Sequence, residues 1–86
     1  MIRKSIAISG AASGIGLATA RLFAERGWFV ACLDRNASLL DSLADEIGRE
    51  AALFISADVA DRAALLDAVA QIGAATGGTL RATNPG

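Results

Sequence analysis

Three short apolar runs alternate with three amphipathic stretches along the chain. Ser5-Ile6-Ala7-Ile8, ending at Ser9-Gly10, is the first run and reads as a buried strand. From Ile15 the period changes. Ile15, Ala18, Thr19, Leu22 and Phe23 recur at helical spacing, with Arg21, Glu25 and Arg26 facing away. Gly27 is the expected left-handed stop of this helix. Trp28-Phe29-Val30-Ala31-Cys32-Leu33 is a second unbroken run, followed by a turn at Asp34-Arg35-Asn36. Ser38 with Asp41 resembles a capping box, and Leu39, Leu40, Leu43 and Ile47 form the stripe of a second helix that stops at Gly48. Ala51-Ala52-Leu53-Phe54-Ile55 is the third strand. A third helix is expected from about Asp61, with Leu65, Ala68, Val69 and Ile72 buried, running out between Gly73 and Gly77.

Unbroken apolar strands alternating with amphipathic helices point to parallel strands covered on both faces. Right-handed crossovers then give an α/β fold: one half of a Rossmann-like doubly wound parallel sheet, in the order βαβαβα, with ligands expected beyond the strands' C-terminal ends. Residues 1–76 form this half-domain. Residues 77–86, rich in glycine and threonine and containing the one proline, read as an irregular tail, although a fourth strand is due there. The expected unit is therefore a truncated half of the fold.

Composition narrows the function more by exclusion than by pointing. With 86 residues the chain is one small domain at most, and 53 % hydrophobic content is globular. A net charge of −1, with basic residues scattered singly apart from Arg3-Lys4, gives no footprint for nucleic acid or anionic lipid. One cysteine, Cys32, excludes an internal disulfide, and one cysteine without histidine offers no transition-metal site. No run approaches a membrane span, and no basic-then-apolar leader is evident, so the expected setting is cytoplasmic.

The chemistry lies between the first strand and the first helix, in Ser9-Gly10-Ala11-Ala12-Ser13-Gly14-Ile15-Gly16. A phosphate-binding turn needs glycine where the backbone bends sharply, where it meets the phosphate, and where helix packs on strand. The N–H groups and partial positive charge of a helix start favour a pyrophosphate. Two roles are open to Ser13: capping the helix, or donating its hydroxyl to a phosphate. Asp34 ends the second strand 18 residues after Gly16, close to the spacing of about 20 at which a carboxylate accepts from an adenosine ribose. Asp58-Val59 ends the third strand beside the same crevice.

Ser9-Gly10-x-x-x-Gly14-Ile15-Gly16 resembles the Thr-Gly-x-x-x-Gly-Ile-Gly signature of the short-chain dehydrogenases/reductases, with serine in place of threonine. Asp34 and Asp58-Val59 fall where that family places its ribose-binding acid and its adenine-contacting pair. The resemblance runs from about Ser5 to Ile72 and covers the family's N-terminal, NAD(P)-binding half. It implies that Gly10, Gly14 and Gly16 shape the turn and that Ser13 and Ile15 lie along the diphosphate. Asp34 then binds the ribose, and Asp58 and Val59 flank adenine. Asp34 repels a 2′-phosphate, whereas Arg35 could reach one, although it also reads as a solvated turn residue. NAD is therefore expected over NADP.

In this family a tyrosine, helped by a lysine, moves the proton. The sequence has no tyrosine and no histidine, and its one lysine, Lys4, precedes the first strand. No catalytic residue is assigned. The resulting expectation is the dinucleotide-binding fragment of an oxidoreductase that passes hydride between NAD(P) and an alcohol or carbonyl substrate, inactive alone. An alternative is a non-catalytic nucleotide-binding or assembly module, self-associating or completed by another chain. A methyl-donor-binding Rossmann domain shares the acid after strand two, but its glycine turn is spaced differently.

Overall fold

A computed structural model describes residues 4–76 and the backbone of residues 80–83. The elements are β1 (Ser5–Ser9), α1 (Gly14–Glu25), β2 (Phe29–Asp34), α2 (Ala37–Ile47), β3 (Ala52–Ser56), α3 (Arg62–Thr76) and β4 (Leu80–Thr83). The strands form one parallel sheet in the order β3-β2-β1-β4. This is the expected βαβαβα Rossmann unit with one more strand.

That strand corrects the reading of residues 77–86 as irregular tail. Leu80–Thr83 runs parallel to β1, pairing Ser5 with Leu80 and Ile8 with Thr83. The segment lacks an apolar run, yet it adds to the β1 edge of the sheet, because backbone pairing does not depend on side-chain pattern. Asn84, Pro85 and Gly86 lie outside the described residues.

β1 and β2 are covered on both faces and β3 is largely half-buried, which is why these three runs are unbroken. Val30 and Cys32 point from β2 toward Ile6, Ile8, Ala20, Leu40 and Leu43, a layer formed with α1 and α2. Ala31 and Leu33 point the other way, to Ala68 and Ile72 of α3. The period of two along a strand thus divides β2 between two cores.

The buried face of α1 is not the one its periodicity pointed to. Ile15 is 69 % and Leu22 44 % exposed, whereas Gly16 and Ala20 are buried and Leu17, Phe23 and Ala24 half-buried. Gly16, Ala20 and Ala24 fall at i, i+4 and i+8, so the helix lies on the sheet through its smallest residues and larger ones turn outward. In α3, Ala68 and Ile72 are buried as expected, but Val69 is 51 % exposed. It joins Leu66 on the outer side of the one described helix on that face.

Capping also differs from the expectation in one place. Asn36, not Ser38, caps α2: its Oδ1 accepts from the Leu39 N–H at 3.1 Å. Gly27, at φ 79°, follows the C-cap residue Arg26 and is the expected left-handed stop. Asp61 Oδ1 accepts from the N–H groups of Ala63 and Ala64, starting α3. At the far end of the sheet Phe23 and Trp28 meet edge to face at 4.8 Å, with Lys4 Nζ 5.5 Å from the Trp28 ring centre. Lys4 is thus at the end of the sheet opposite the glycine turn. No described helix is long and apolar enough to cross a membrane.

Candidate functional site

At the C-terminal ends of β1, β2 and β3 the chain forms a cavity of about 230 Å³. Ser9, Gly10, Leu33, Asp34, Arg35, Ala57, Asp58 and Val59 line it. The strand order reverses between β1 and β4, so the cavity opens beside the place where a doubly wound sheet offers a ligand, on the β2 and β3 side. A larger cavity, about 330 Å³, lies between α1 and α2 beside Arg21, Ala24, Glu25, Glu46 and Ile47. There Arg21 and Glu46 satisfy each other through a two-pronged ion pair, at 2.5 and 2.8 Å. The strand-end cavity is therefore the functional candidate.

The glycine turn has the geometry its sequence implies. Gly10 and Gly14 have φ of 66° and 57°, in the left-handed region that side chains other than glycine avoid. At Gly16 the constraint is space: a Cβ would run into the carbonyl oxygen of Gly10. That contact draws the start of α1 against the end of β1.

Ser13 is the N-cap of α1 by backbone, yet its side chain makes no capping hydrogen bond. No acidic residue occupies the first turn of the helix. The first N–H groups of a helix have no partner within it, and their partial positive charge is left uncompensated by any carboxylate of α1. Ile15, exposed beside them, is open to solvent.

Asp34 faces this turn across the strand ends. Its Oδ2 accepts from the Ala12 N–H at 3.1 Å and its Oδ1 from the Asn36 N–H at 2.9 Å. One residue back, the Leu33 carbonyl accepts from the Ala11 N–H at 3.1 Å. A carboxylate offers about four acceptor positions, so the two bonds leave Asp34 capacity for further donors. Arg35 extends over the mouth, 78 % exposed, with Nη1 3.9 Å from Asp58 Oδ2. Asp58 Oδ1 also accepts from the Ala60 N–H at 2.9 Å, closing the turn that presents Val59.

Of the residues singled out from sequence, Gly10, Asp34, Arg35, Asp58 and Val59 line the cavity itself. Ser13, Gly14, Ile15 and Gly16 lie outside that lining, at the start of α1. Leu33 and Ala57 were not foreseen in the wall; their signal was their place beside Asp34 and Asp58 at the strand ends. Among the described residues no group of histidine, cysteine, aspartate and glutamate could hold a metal ion.

Comparison with known proteins agrees with this fold. Galactitol 2-dehydrogenase (L-tagatose-forming) of Cereibacter sphaeroides is 45 % identical over 65 residues, covering 76 % of this chain and 26 % of that protein. Serine 3-dehydrogenase of Agrobacterium fabrum is 43 % identical over 68 residues, covering 79 % of this chain and 27 % of that protein. The chain thus spans about a quarter of the length of these relatives. A 3-ketoacyl-(acyl-carrier-protein) reductase from Brucella melitensis, solved with NADH, superposes with a TM-score of 0.81 at 35 % identity. That match covers 90 % of this chain and 32 % of the reductase. A short chain dehydrogenase from Bacillus anthracis gives a TM-score of 0.88 at 26 % identity, covering 96 % and 34 %. The short chain dehydrogenase profile matches residues 4–81, nearly the whole sequence, and the chain belongs to that family of oxidoreductases.

Proposed function

We propose that this chain holds the adenosine and diphosphate portion of a nicotinamide dinucleotide, NAD in preference to NADP. In a complete enzyme of the family that cofactor passes hydride to or from an alcohol or carbonyl substrate. The observation that carries the reading is the pairing of a helix start, bare of carboxylates and tightened by Gly16 on Gly10, with Asp34 across the strand ends.

The parts fit the group. Gly10 and Gly14 bend the turn, Gly16 brings the helix start close, and the diphosphate lies against the first N–H groups of α1. Ser13, whose hydroxyl is not used as a cap, donates to a phosphate oxygen, and Ile15 lies along the same edge. Asp34 accepts from the ribose hydroxyls, while Asp58 and Val59 flank adenine. The cavity's 230 Å³ is below the roughly 300–1,000 Å³ of sites enclosing drug-sized ligands, so it suits one end of a dinucleotide rather than the whole.

The preference for NAD follows from charge. At about 4 Å two like charges repel by about 4 kcal/mol at an effective dielectric of 20, before salt screening. Asp34 therefore opposes a 2′-phosphate, and Arg35, which could offset that, faces the Asp58 carboxylate instead. The 86 residues include no tyrosine to move the proton, so their part is binding and orientation. The chain alone is expected to have no dehydrogenase activity.

A second reading, an assembly module, draws on Leu66 and Val69, which are 60 % and 51 % exposed on α3. A mass that rises with protein concentration would favour it. The deciding experiment is calorimetric titration of the chain with NAD and NADP. Saturable binding with NADP at least about tenfold weaker is expected from the repulsion above; failure of both to bind would overturn the proposal.

A further inference from the structure

We propose that Asp34, besides its role toward the ribose, is the positioning residue of the glycine turn: its carboxylate holds the Ala12 N–H, so removing the carboxylate entirely undoes the diphosphate site. The inference rests on the nucleotide-binding reading above for its consequence, but its structural half stands without any ligand.

Three observations carry it. Ala11 and Ala12 sit in the middle of the turn and are 0 % and 7 % exposed, so water has little access to replace a lost partner. Their two consecutive N–H groups are taken by two consecutive acceptors at the end of β2, the Leu33 carbonyl and Asp34 Oδ2, both at 3.1 Å. The Leu33 bond is fixed by the backbone whatever the side chain, whereas the Ala12 bond depends on the residue at 34. Gly10 and Gly14, on either side, are the positions of the turn with the greatest conformational freedom. Without the Asp34 clamp, a buried N–H lies unpaired between two hinges.

On this arrangement a deletion to alanine removes the 2′-phosphate repulsion and the turn's clamp together. An asparagine separates the two effects, because it drops the charge and keeps one oxygen. Oδ1 and Oδ2 currently serve Asn36 and Ala12 respectively. Asn36 is exposed and water can take over its N–H; Ala12 is buried, so the remaining oxygen turns toward Ala12.

The test compares the 86-residue chain with Asp34→Ala and Asp34→Asn. Amide hydrogen exchange is followed by NMR without ligand, and NAD and NADP are titrated separately. In Asp34→Ala the Ala12 amide should exchange faster by about tenfold or more, the scale of a buried N–H losing its acceptor, while Ile8 and Val30 stay protected. NAD and NADP should both bind weakly to it. In Asp34→Asn the Ala12 amide should stay protected, the Asn36 amide should exchange faster, and binding should shift from NAD toward NADP. Unchanged Ala12 exchange in Asp34→Ala, or Asp34→Asn failing to protect it, would overturn the clamp. Should the alanine variant unfold, the asparagine variant carries that decision alone. Expected exchange patterns with no dinucleotide binding even to the parent chain would support the clamp and sink the cofactor reading instead.

Discussion

Gly16 packs on the carbonyl of Gly10 with no space for a Cβ between them. The contact sets how near α1 begins to the end of β1. Gly16→Ala should therefore push helix and turn apart. A loss of about 1–3 kcal/mol, the range for overpacking, is expected in thermal or denaturant unfolding, with dinucleotide binding weakened further. At Gly14 a Cβ meets nothing within 4 Å, so the cost of Gly14→Ala is left-handed backbone strain alone, about 1–3 kcal/mol. Gly14→Asn should recover part of that loss, because asparagine tolerates this region, whereas Gly16→Asn should be worse than Gly16→Ala. Equal tolerance of asparagine at both positions would contradict the distinction.

Cys32 lies in the middle of β2 with no exposed surface. Burial pushes its thiol up to about 12 from an ordinary 9.0. The native chain should not react with a thiol reagent at pH 8 and should react promptly once unfolded in denaturant. The unfolded state gives up this proton near 9 and the folded state only near 12, so the unfolded state binds fewer protons between them. Stability present below pH 9 should fall across that window, and Cys32→Ala should make the alkaline limb shallower.

Arg21 and Glu46 join α1 to α2 on the outer surface. The hydrogen bond from Arg21, then its charge, holds the Glu46 carboxyl below the ordinary 4.5, although burial opposes this. A lowered acid stabilises the fold above its unfolded value and loses that contribution as pH falls through the folded value. The stability difference between the parent chain and Glu46→Gln should thus be steady above pH 4.5, shrink below it, and diminish in high salt. A difference independent of both pH and salt would mean that the pair contributes by packing.

Asn36 caps α2, and Ser38 does not. Asn36→Ala should cost about 1 kcal/mol in urea unfolding, within the usual 0.5–2 for a lost cap, and Ser38→Ala much less. The reverse order would restore the capping box at Ser38 and Asp41.

This last case shows where sequence and structure part. The strands β1 to β3 were legible because cover on both faces, complete for β2 and partial for β3, writes an unbroken apolar run, and the glycine turn because its spacing demands the positive φ of Gly10 and Gly14 and the close approach at Gly16. The cap was misplaced although asparagine ranks among the best N-caps: Ser38-x-x-Asp41 imitated a capping box two residues on. The buried face of α1 was misread because the helix is apolar almost all round. Close approach at Gly16 fixes its rotation, and the bulk that periodicity weighs is then on the wrong side. β4 was illegible for a different reason, since Leu80–Thr83 is placed by β1's backbone and not by any pattern of its own.

The two-faced burial of β2 has a consequence at its end. Val30 and Cys32 anchor the strand in one core and Ala31 and Leu33 in the other, so neither layer can loosen without disturbing its neighbour's support. A register slip of one residue would exchange the two sets and spoil both layers together. Asp34 is the next residue along. The acid is thereby carried at the end of a strand packed from both sides, with both of its oxygens already bonded within the chain. Little ordering entropy then remains to be lost on binding at that corner of the site.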